Sequence, residues 1–407
     1  MHILPILSTL RRHRAAAALI VLEIAFTCAI VCNAIFLIGE RLARMDRPSG
    51  IAEGELVHVK LDGAGKRTDG NAVVAQDLAA LRAIPGVRSV AGANMVPFGN
   101  AGSTPPVSTI PDDPSPPFTP AMYLGSPDLL ETLGVRLISG RDFSPEEYVD
   151  ADALLAGRAW PPSAIITRGL ADALFPGKSP LGQPLYLPLF KEPQRVVGVI
   201  DRLARPDEPE GAKTAAYAFV LPVNAFYMGG IHYLLRVDPA RRAEVLAAVD
   251  AALDQADPSR VILARQTFTE LRRGYYQQDR AMAYLLTGVS LALIVITALG
   301  IVGLTSFWVQ QRTRQIGIRR ALGATRGDIL RYFQLESFLL TTAGIVAGMG
   351  LAYAINLWLM DAYQVARLPA QVLPAGALLL WLLGQLAVLG PARRAARIPP
   401  ALATRTV

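Results

Sequence analysis

The sequence predicts a multi-pass α-helical membrane protein with four transmembrane helices, one before and three after a large α+β domain of two lobes. Three observations support this fold class. Of the 407 residues, 52% are hydrophobic and only 18% are charged, which is more apolar than ordinary soluble domains. Four apolar runs are long enough to cross a bilayer. Arginine clusters lie at the ends of these runs, whereas the stretch between the first two runs is net acidic.

The four apolar runs are residues 15–38, 282–309, 338–360 and 373–389. A transmembrane helix needs about 20 apolar residues, with a lower limit near 17, which the fourth run just reaches. The first run is too long for the apolar part of a signal peptide and has no convincing cleavage site after it, so we interpret it as an uncleaved anchor.

The first run also contains two polar side chains, Glu23 and Asn33. Both should face protein or water, because exposure of such groups to lipid is costly. For Glu23 a proton-relay role and a structural partner on another helix are both open, and we favour the structural partner. Cys28 and Cys32 lie one helical turn apart in the same run, and we expect both to be buried small apolar side chains.

The arginine clusters predict the orientation in the membrane, since short basic segments stay on the cytoplasmic side. Arginines precede the first run and follow the fourth. Between the second and third runs lies a segment that we call the basic loop, residues 310–333, in which residues 312–331 hold six arginines and one acid. The N-terminus, the basic loop and a tail at 391–407 should therefore be cytoplasmic, and residues 40–280 should lie on the other side.

The charge of the outside stretch argues against a nucleic-acid partner. Residues 40–280 contain 26 Lys+Arg against 29 Asp+Glu, a net charge of −3. The basic pI of 9.5 therefore reflects the topology of the membrane segments.

Within the outside stretch, two strand–helix–strand patterns flank a different segment. The patterns occupy about 55–100 and 222–268, and two such halves form a split-βαβ sandwich. An inserted lobe should occupy about 121–221, and a charged helical stalk, 269–281, leads into the second apolar run. The expected strands and helices are a strand at 56–61, a helix at 72–84, a strand at 87–95, a strand at 232–237, a helix at 239–254 and a strand at 260–268.

We find no catalytic or metal-ligating pattern in the sequence. The stretch Gly177-Lys178-Ser179 lacks the first glycine of a phosphate-binding loop, because Asp172 stands at that position, so we predict a turn. The four histidines show no ligand spacing. We therefore expect no cofactor, no metal and no enzymatic activity on this chain.

Two other features indicate helix packing and partner binding. Gly344 and Gly348 form a small-xxx-small pair that permits close helix approach within the chain or across a dimer, although glycine is simply common in membrane helices. The basic loop combines arginines with the apolar residues Ile316, Ile318 and Leu322 and a stop at Gly323. We predict that it docks a soluble partner, the alternative being that its arginines only fix topology and contact lipid headgroups. The predicted docking residues are Arg314, Gln315, Ile316, Gly317, Ile318, Arg319, Arg320, Ala321, Leu322, Gly323 and Ala324.

Residues 314–324 closely resemble the signature of the MacB/FtsX-type permeases of ABC transporters. The family usually has glutamate where this chain has Gln315, a mild departure. Residues 391–402 are similar to the family ending, and residues 133–143 and 171–182 look like parts of the MacB-type periplasmic core. The resemblance covers nearly the whole chain.

The resemblance implies a domain organisation and partners. Residues 1–39 would hold a cytoplasmic segment and the first helix, 40–280 the periplasmic MacB-like core, and 282–407 the FtsX-like part. Such permeases lie in the inner membrane among its lipids, dimerise, and bind ABC ATPase subunits through the loop after the second span. ATP would bind to that separate subunit. A periplasmic adaptor is a further possible partner.

The resemblance also implies function. The leading hypothesis is an export permease of the mechanotransmission type, which couples ATP hydrolysis to periplasmic movement and acts on a peptide, an antibiotic or a lipoprotein-like substrate. The alternative is an FtsX-like regulatory protein that controls a periplasmic partner such as a cell-wall hydrolase.

Overall fold

A computed structural model describes residues 14–62, 70–100, 102–207, 214–224, 230–257, 261–363 and 367–398. The chain divides into two compact units, one of residues 1–46 and 278–407 and one of residues 47–277. Arg11, Arg12 and Arg405, which belong to the terminal arginine clusters, lie outside the described residues.

The described helices, in chain order, are α1 (Arg14–Met45), α2 (Gly70–Arg82), α3 (Leu129–Leu133), α4 (Ala151–Leu155), α5 (Arg168–Leu174), α6 (Arg242–Ala256), α7 (Phe268–Tyr275), α8 (Gln277–Gln311), α9 (Thr313–Ala321), α10 (Arg326–Tyr363) and α11 (Val372–Ala396). The described strands are β1 (Leu56–Asp62), β2 (Val87–Ala93), β3 (Ala121–Gly125), β4 (Leu137–Gly140), β5 (Val149–Asp150), β6 (Ser163–Thr167), β7 (Pro184–Leu185), β8 (Gln194–Ile200), β9 (Ala218–Asn224), β10 (Ile231–Val237) and β11 (Val261–Thr267).

Four helices, α1, α8, α10 and α11, are long and apolar enough to cross a membrane, and each contains one of the predicted apolar runs. The helices extend beyond those runs. For example, α8 begins five residues earlier than its apolar run, with Asp279 in its first turn. Asp279 forms an ion pair with Arg41 and lies 3.9 Å from Arg44, both near the end of α1, so its charge is neutralised there.

The second unit contains the predicted split-βαβ arrangement. Four strands stand in the order β11-β1-β10-β2, and each neighbouring pair is antiparallel. The units β1-α2-β2 and β10-α6-β11 each leave room for one strand of the other unit between their own two strands. Their apolar side chains form one core beneath the helices, which includes Val57, Val74, Leu235 and Val249.

A second lobe continues the same sheet through β3-β9-β6-β8-β4 and has a separate core around Leu124, Ile166, Leu170 and Phe219. One pairing, Ala93 with Gly125, joins the two lobes. The stretch around Gly177 forms a turn between α5 and β7, with Gly177 at a φ of 71°. The predicted fold class is confirmed: four membrane helices in a one-plus-three order and an α+β domain of two lobes.

Candidate docking surface on the basic loop

The basic loop folds as a short helix, α9, between two membrane helices. Gly323 ends α9, because its φ of 99° is a conformation that side chains disfavour. The Gly323 N–H donates to Arg320 O at 3.1 Å and the Ala324 N–H to Arg319 O at 3.0 Å, the hydrogen-bond pair of a Schellman motif. The predicted stop at Gly323 therefore corresponds to a defined helix end.

The next helix begins immediately. Thr325 Oγ1 accepts a hydrogen bond from the Asp328 N–H at 3.2 Å, and the Asp328 carboxylate accepts from the Thr325 N–H at 3.0 Å and from its hydroxyl at 2.6 Å. This reciprocal cap fixes the first turn of α10. Only residues 322–325 separate α9 from α10. The hydrogen bonds of Gly323 and Ala324 hold one end of this link, and those between Thr325 and Asp328 hold the other.

One face of α9 is buried. Ile316 is only 5% exposed and belongs to the core of the membrane unit together with Ile329, Phe333 and Ala392. Gly317 is buried beside it. We predicted Ile316 and Gly317 as docking residues, and the structure corrects this: Ile316 attaches α9 to α10 and α11 and is not available to a partner.

The opposite face carries the exposed apolar residues. Leu322 is 84% exposed and Ile318 is 48% exposed. Arg314, Gln315 and Ala321 are exposed as well. Apolar side chains that are this exposed contribute little to the stability of the fold. Their exposure on one face of the helix favours a role in binding.

The arginines around this face are held in place. The Arg319 guanidinium lies 5.0 Å from the centre of the Tyr332 ring of α10. Arg320 Nη1 donates to the carbonyl of Ile398, just after α11. Residues 313–331 contain five arginines and one acid, Asp328. The surface therefore presents Ile318 and Leu322 within a positive field, which suits an acidic partner with an apolar pocket.

The predicted helix-packing residues lie elsewhere and act within the chain. A Cβ atom on Gly344 would stand 2.7 Å from Ile24 Cβ, so α10 approaches α1 closely at this glycine. Asn33 donates to Ala352 O at 3.1 Å and to Ala29 O at 3.0 Å. The Glu23 carboxylate lies over Gly300 of α8, within 2.7 Å of where its Cβ would be. This contact gives Glu23 a structural neighbour on another helix.

One buried ion pair near the docking surface was not predicted from the sequence. Arg312, between α8 and α9, donates to both carboxylate oxygens of Glu336 in α10 at 3.0 Å. The available signal was the position of Glu336: it is the sole charged residue between Arg331 and Asp361, two residues before an apolar run. We had begun that run at residue 338 and so left Glu336 outside it.

The described residues contain no group of three or more His, Cys, Asp or Glu side chains that could hold a metal ion. Cys28 and Cys32 are buried free thiols in α1.

Family models match most of the chain. A model described as MacB-like periplasmic core domain matches residues 18–256, and one described as FtsX-like permease C-terminal matches residues 287–400. The first match alone covers more than half of the 407 residues. The chain belongs to the MacB/FtsX family of ABC transporter permeases. In this family's terms, α9 and its flanks lie in the FtsX-like part and the two-lobed sheet domain is the MacB-like periplasmic core.

Three relatives illustrate the similarity. The chain is 29% identical over 58% of its length to a pyoverdine export ATP-binding/permease protein, PvdT, of Pseudomonas entomophila, and covers 37% of that protein. It is 25% identical over 83% of its length to a macrolide export ATP-binding/permease protein, MacB, of a Shewanella species, and covers 50% of it. It is 27% identical over 67% of its length to the ABC transporter permease YknZ of Bacillus subtilis, of which it covers 66%. The chain thus spans half or less of the two export proteins.

Proposed function

We propose that this permease couples ATP hydrolysis by a separate ABC ATPase subunit to movement of its periplasmic domain, and that this movement drives export. The substrate class we propose is a peptide, an antibiotic or a lipoprotein-like molecule. The observation that carries the proposal is the exposed face of α9, on which Leu322 and Ile318 project among arginines while Ile316 attaches the helix to the bundle.

The attachment of α9 supports a mechanical role. Ile316 belongs to the same buried core as Phe333 of α10 and Ala392 of α11, and the capped link of residues 322–325 joins α9 directly to α10. Along its length, α10 packs closely against α1 at Gly344 and Gly348. The chain passes from α1 straight into the periplasmic domain. A push on α9 would therefore reach α1 through these contacts, and α1 is joined to that domain by the chain itself.

The orientation belongs to the same proposal. The arginines of the basic loop support a cytoplasmic position for α9, where an ATPase is available, with both termini on the same side. The membrane would then be the cytoplasmic, or inner, membrane. A second permease chain and a periplasmic adaptor would complete the assembly.

The alternative is an FtsX-like regulator that controls a periplasmic partner such as a cell-wall hydrolase. The two-lobed domain favours export, because residues 18–256 match the model of the MacB-like periplasmic core domain and the relatives PvdT and MacB are named as export proteins. Both functions need the same ATPase contact. Transport by the reconstituted complex, or activation of a hydrolase by it, separates them.

The test of docking is ATPase capture by full-length variants. Leu322→Asp and Ile318→Asp should insert normally, because both side chains are exposed, but each should weaken ATPase binding by at least about 2 kcal/mol, roughly 30-fold in Kd. The matched control is Leu189→Asp, at a leucine of the periplasmic domain that is 56% exposed, and this variant should bind as wild type. Capture of the ATPase by Leu322→Asp at wild-type affinity would refute the docking role.

A further inference from the structure

Arg312 and Glu336 form an ion pair that is almost completely shielded from solvent. Their side chains are 8% and 2% exposed, and a single guanidinium nitrogen donates to both carboxylate oxygens at 3.0 Å. The guanidinium also lies 5.3 Å from the centre of the Trp308 ring. The space beside Glu336 measures about 10 Å³, which is barely room for one water molecule. Neither charge has bulk water as an alternative partner.

The position of Arg312 gives this pair a mechanical consequence. Arg312 is the single residue between α8 and α9, and its carbonyl accepts the first hydrogen bond of α9, from the Ile316 N–H at 2.9 Å. Glu336 lies in the third turn of α10. The pair therefore joins the start of α9 to α10, while the capped link joins the end of α9 to the same helix.

Removing one member of a buried ion pair is strongly unfavourable, because the other charge loses its buried counter-charge. The pair consequently opposes any tilt of α9 that would separate Arg312 from α10. By contrast, Ile316 contributes only apolar contact, which tolerates sliding.

We infer that Arg312 and Glu336 are positioning residues that hold the start of α9 against α10, so that the docking face is presented in one orientation. The role of this orientation rests on the proposed docking function. The contact that holds α9 against α10 is a property of the chain alone. Neither residue touches the partner: both are buried, whereas the docking face is exposed.

The first test needs no ATPase. Amide hydrogen exchange of α9 is measured in the full-length protein in detergent, for wild type, Arg312→Met, Glu336→Leu and the exchanged pair Arg312→Glu with Glu336→Arg. Exchange in α9 should accelerate by at least roughly tenfold in each single variant, the factor that about 1.4 kcal/mol produces, and should return towards wild type in the exchanged pair. Arg314→Met, which removes an exposed arginine two residues away, is the matched control and should leave α9 unchanged.

The second test adds the purified ATPase. The single variants should bind it roughly tenfold more weakly with Ile318 and Leu322 intact, and the exchanged pair should recover binding.

Unchanged hydrogen exchange in the single variants overturns the inference, whether or not these variants bind the ATPase. Failure of wild type to bind the ATPase instead overturns the proposed function, and the exchange data then still decide whether the pair positions α9. A single variant that loses the fold altogether is distinguished by exchange in all helices, and the exchanged pair then decides: recovery of the α9 protection supports positioning, and its absence refutes it.

Discussion

Gly348 of α10 lies directly against Cys28 of α1: a Cβ atom on Gly348 would stand 2.5 Å from Cys28 Cβ and 2.6 Å from Ala25 O. Gly344, one turn earlier, makes the same kind of approach to Ile24. Contacts this short admit no side chain larger than hydrogen. The small-xxx-small pair therefore joins two helices of one chain, and it need not be a dimer contact.

The first prediction tests this packing. Gly348→Leu should destabilise the membrane unit by about 1–3 kcal/mol or more, since the new side chain must displace α1. Gly350→Leu is the matched control, because a Cβ at Gly350 meets no atom within 4 Å. Thermal unfolding of both variants in detergent gives the comparison, and equal melting temperatures would show that α10 and α1 do not pack through Gly348.

The second prediction concerns topology. Ser179 and Thr325 are both exposed, and the proposed orientation places them on opposite sides of the membrane. In intact cells, Ser179→Cys should react with an impermeant thiol reagent added outside, once the outer barrier is opened, and Thr325→Cys should not. The native cysteines do not interfere because Cys28 and Cys32 are buried. Labelling of both positions from the same side would contradict the orientation.

The third prediction uses a histidine pair in the periplasmic domain. His58 and His232 lie on neighbouring strands, with His58 Nε2 2.8 Å from His232 Nδ1 and Lys60 directly opposite His232 in the sheet. Burial, followed by the positive charges nearby, lowers the pKa of His58 to about 3 and that of His232 to about 4. The folded domain therefore keeps both rings neutral at pH values where an unfolded chain would protonate them.

The sign of the pH effect follows from that difference. Below about pH 6.5 the unfolded state binds more protons than the folded state, so stability falls as the pH falls. Each histidine contributes at most about 1.4 kcal/mol per pH unit. Denaturant unfolding between pH 6.5 and 5 measures this slope. Glu147, whose pKa is lowered to about 2, chiefly by its hydrogen bond from Arg141, contributes to the slope only at lower pH. The double variant His58→Leu with His232→Leu should flatten the slope, and an unchanged slope would exclude the pair as its source.

Much of the fold was predictable because its signals are local. Hydropathy located all four membrane helices, alternation located β1, and the strand and helix patterns that follow it located α2, β10 and α6. The split-βαβ order followed from two copies of one pattern. The sequence predicts a helical stalk at 269–281, but it does not predict the break at Tyr276 between α7 and α8 or the pairing of Asp279 with Arg41.

The docking site was predictable in part. Arginine density and Gly323 identified the segment, but periodicity alone did not distinguish Ile316 from Ile318, because the three-dimensional position of α11 decides which face of α9 is covered. Likewise, the Arg312–Glu336 pair joins residues 24 positions apart on different helices, and no local pattern connects them.

The proposed docking surface brings Leu322, at the end of α9, into contact with an ATPase. A photoreactive amino acid at position 322 of the full-length permease, irradiated with the purified ATPase and compared with the same label at position 189, tests this contact. We expect a cross-link to the ATPase from position 322 and none from position 189, with the yield at 322 reduced when Ile318 is changed to Asp. Absence of a cross-link from position 322, under conditions where the two proteins form a complex, would refute docking at this surface.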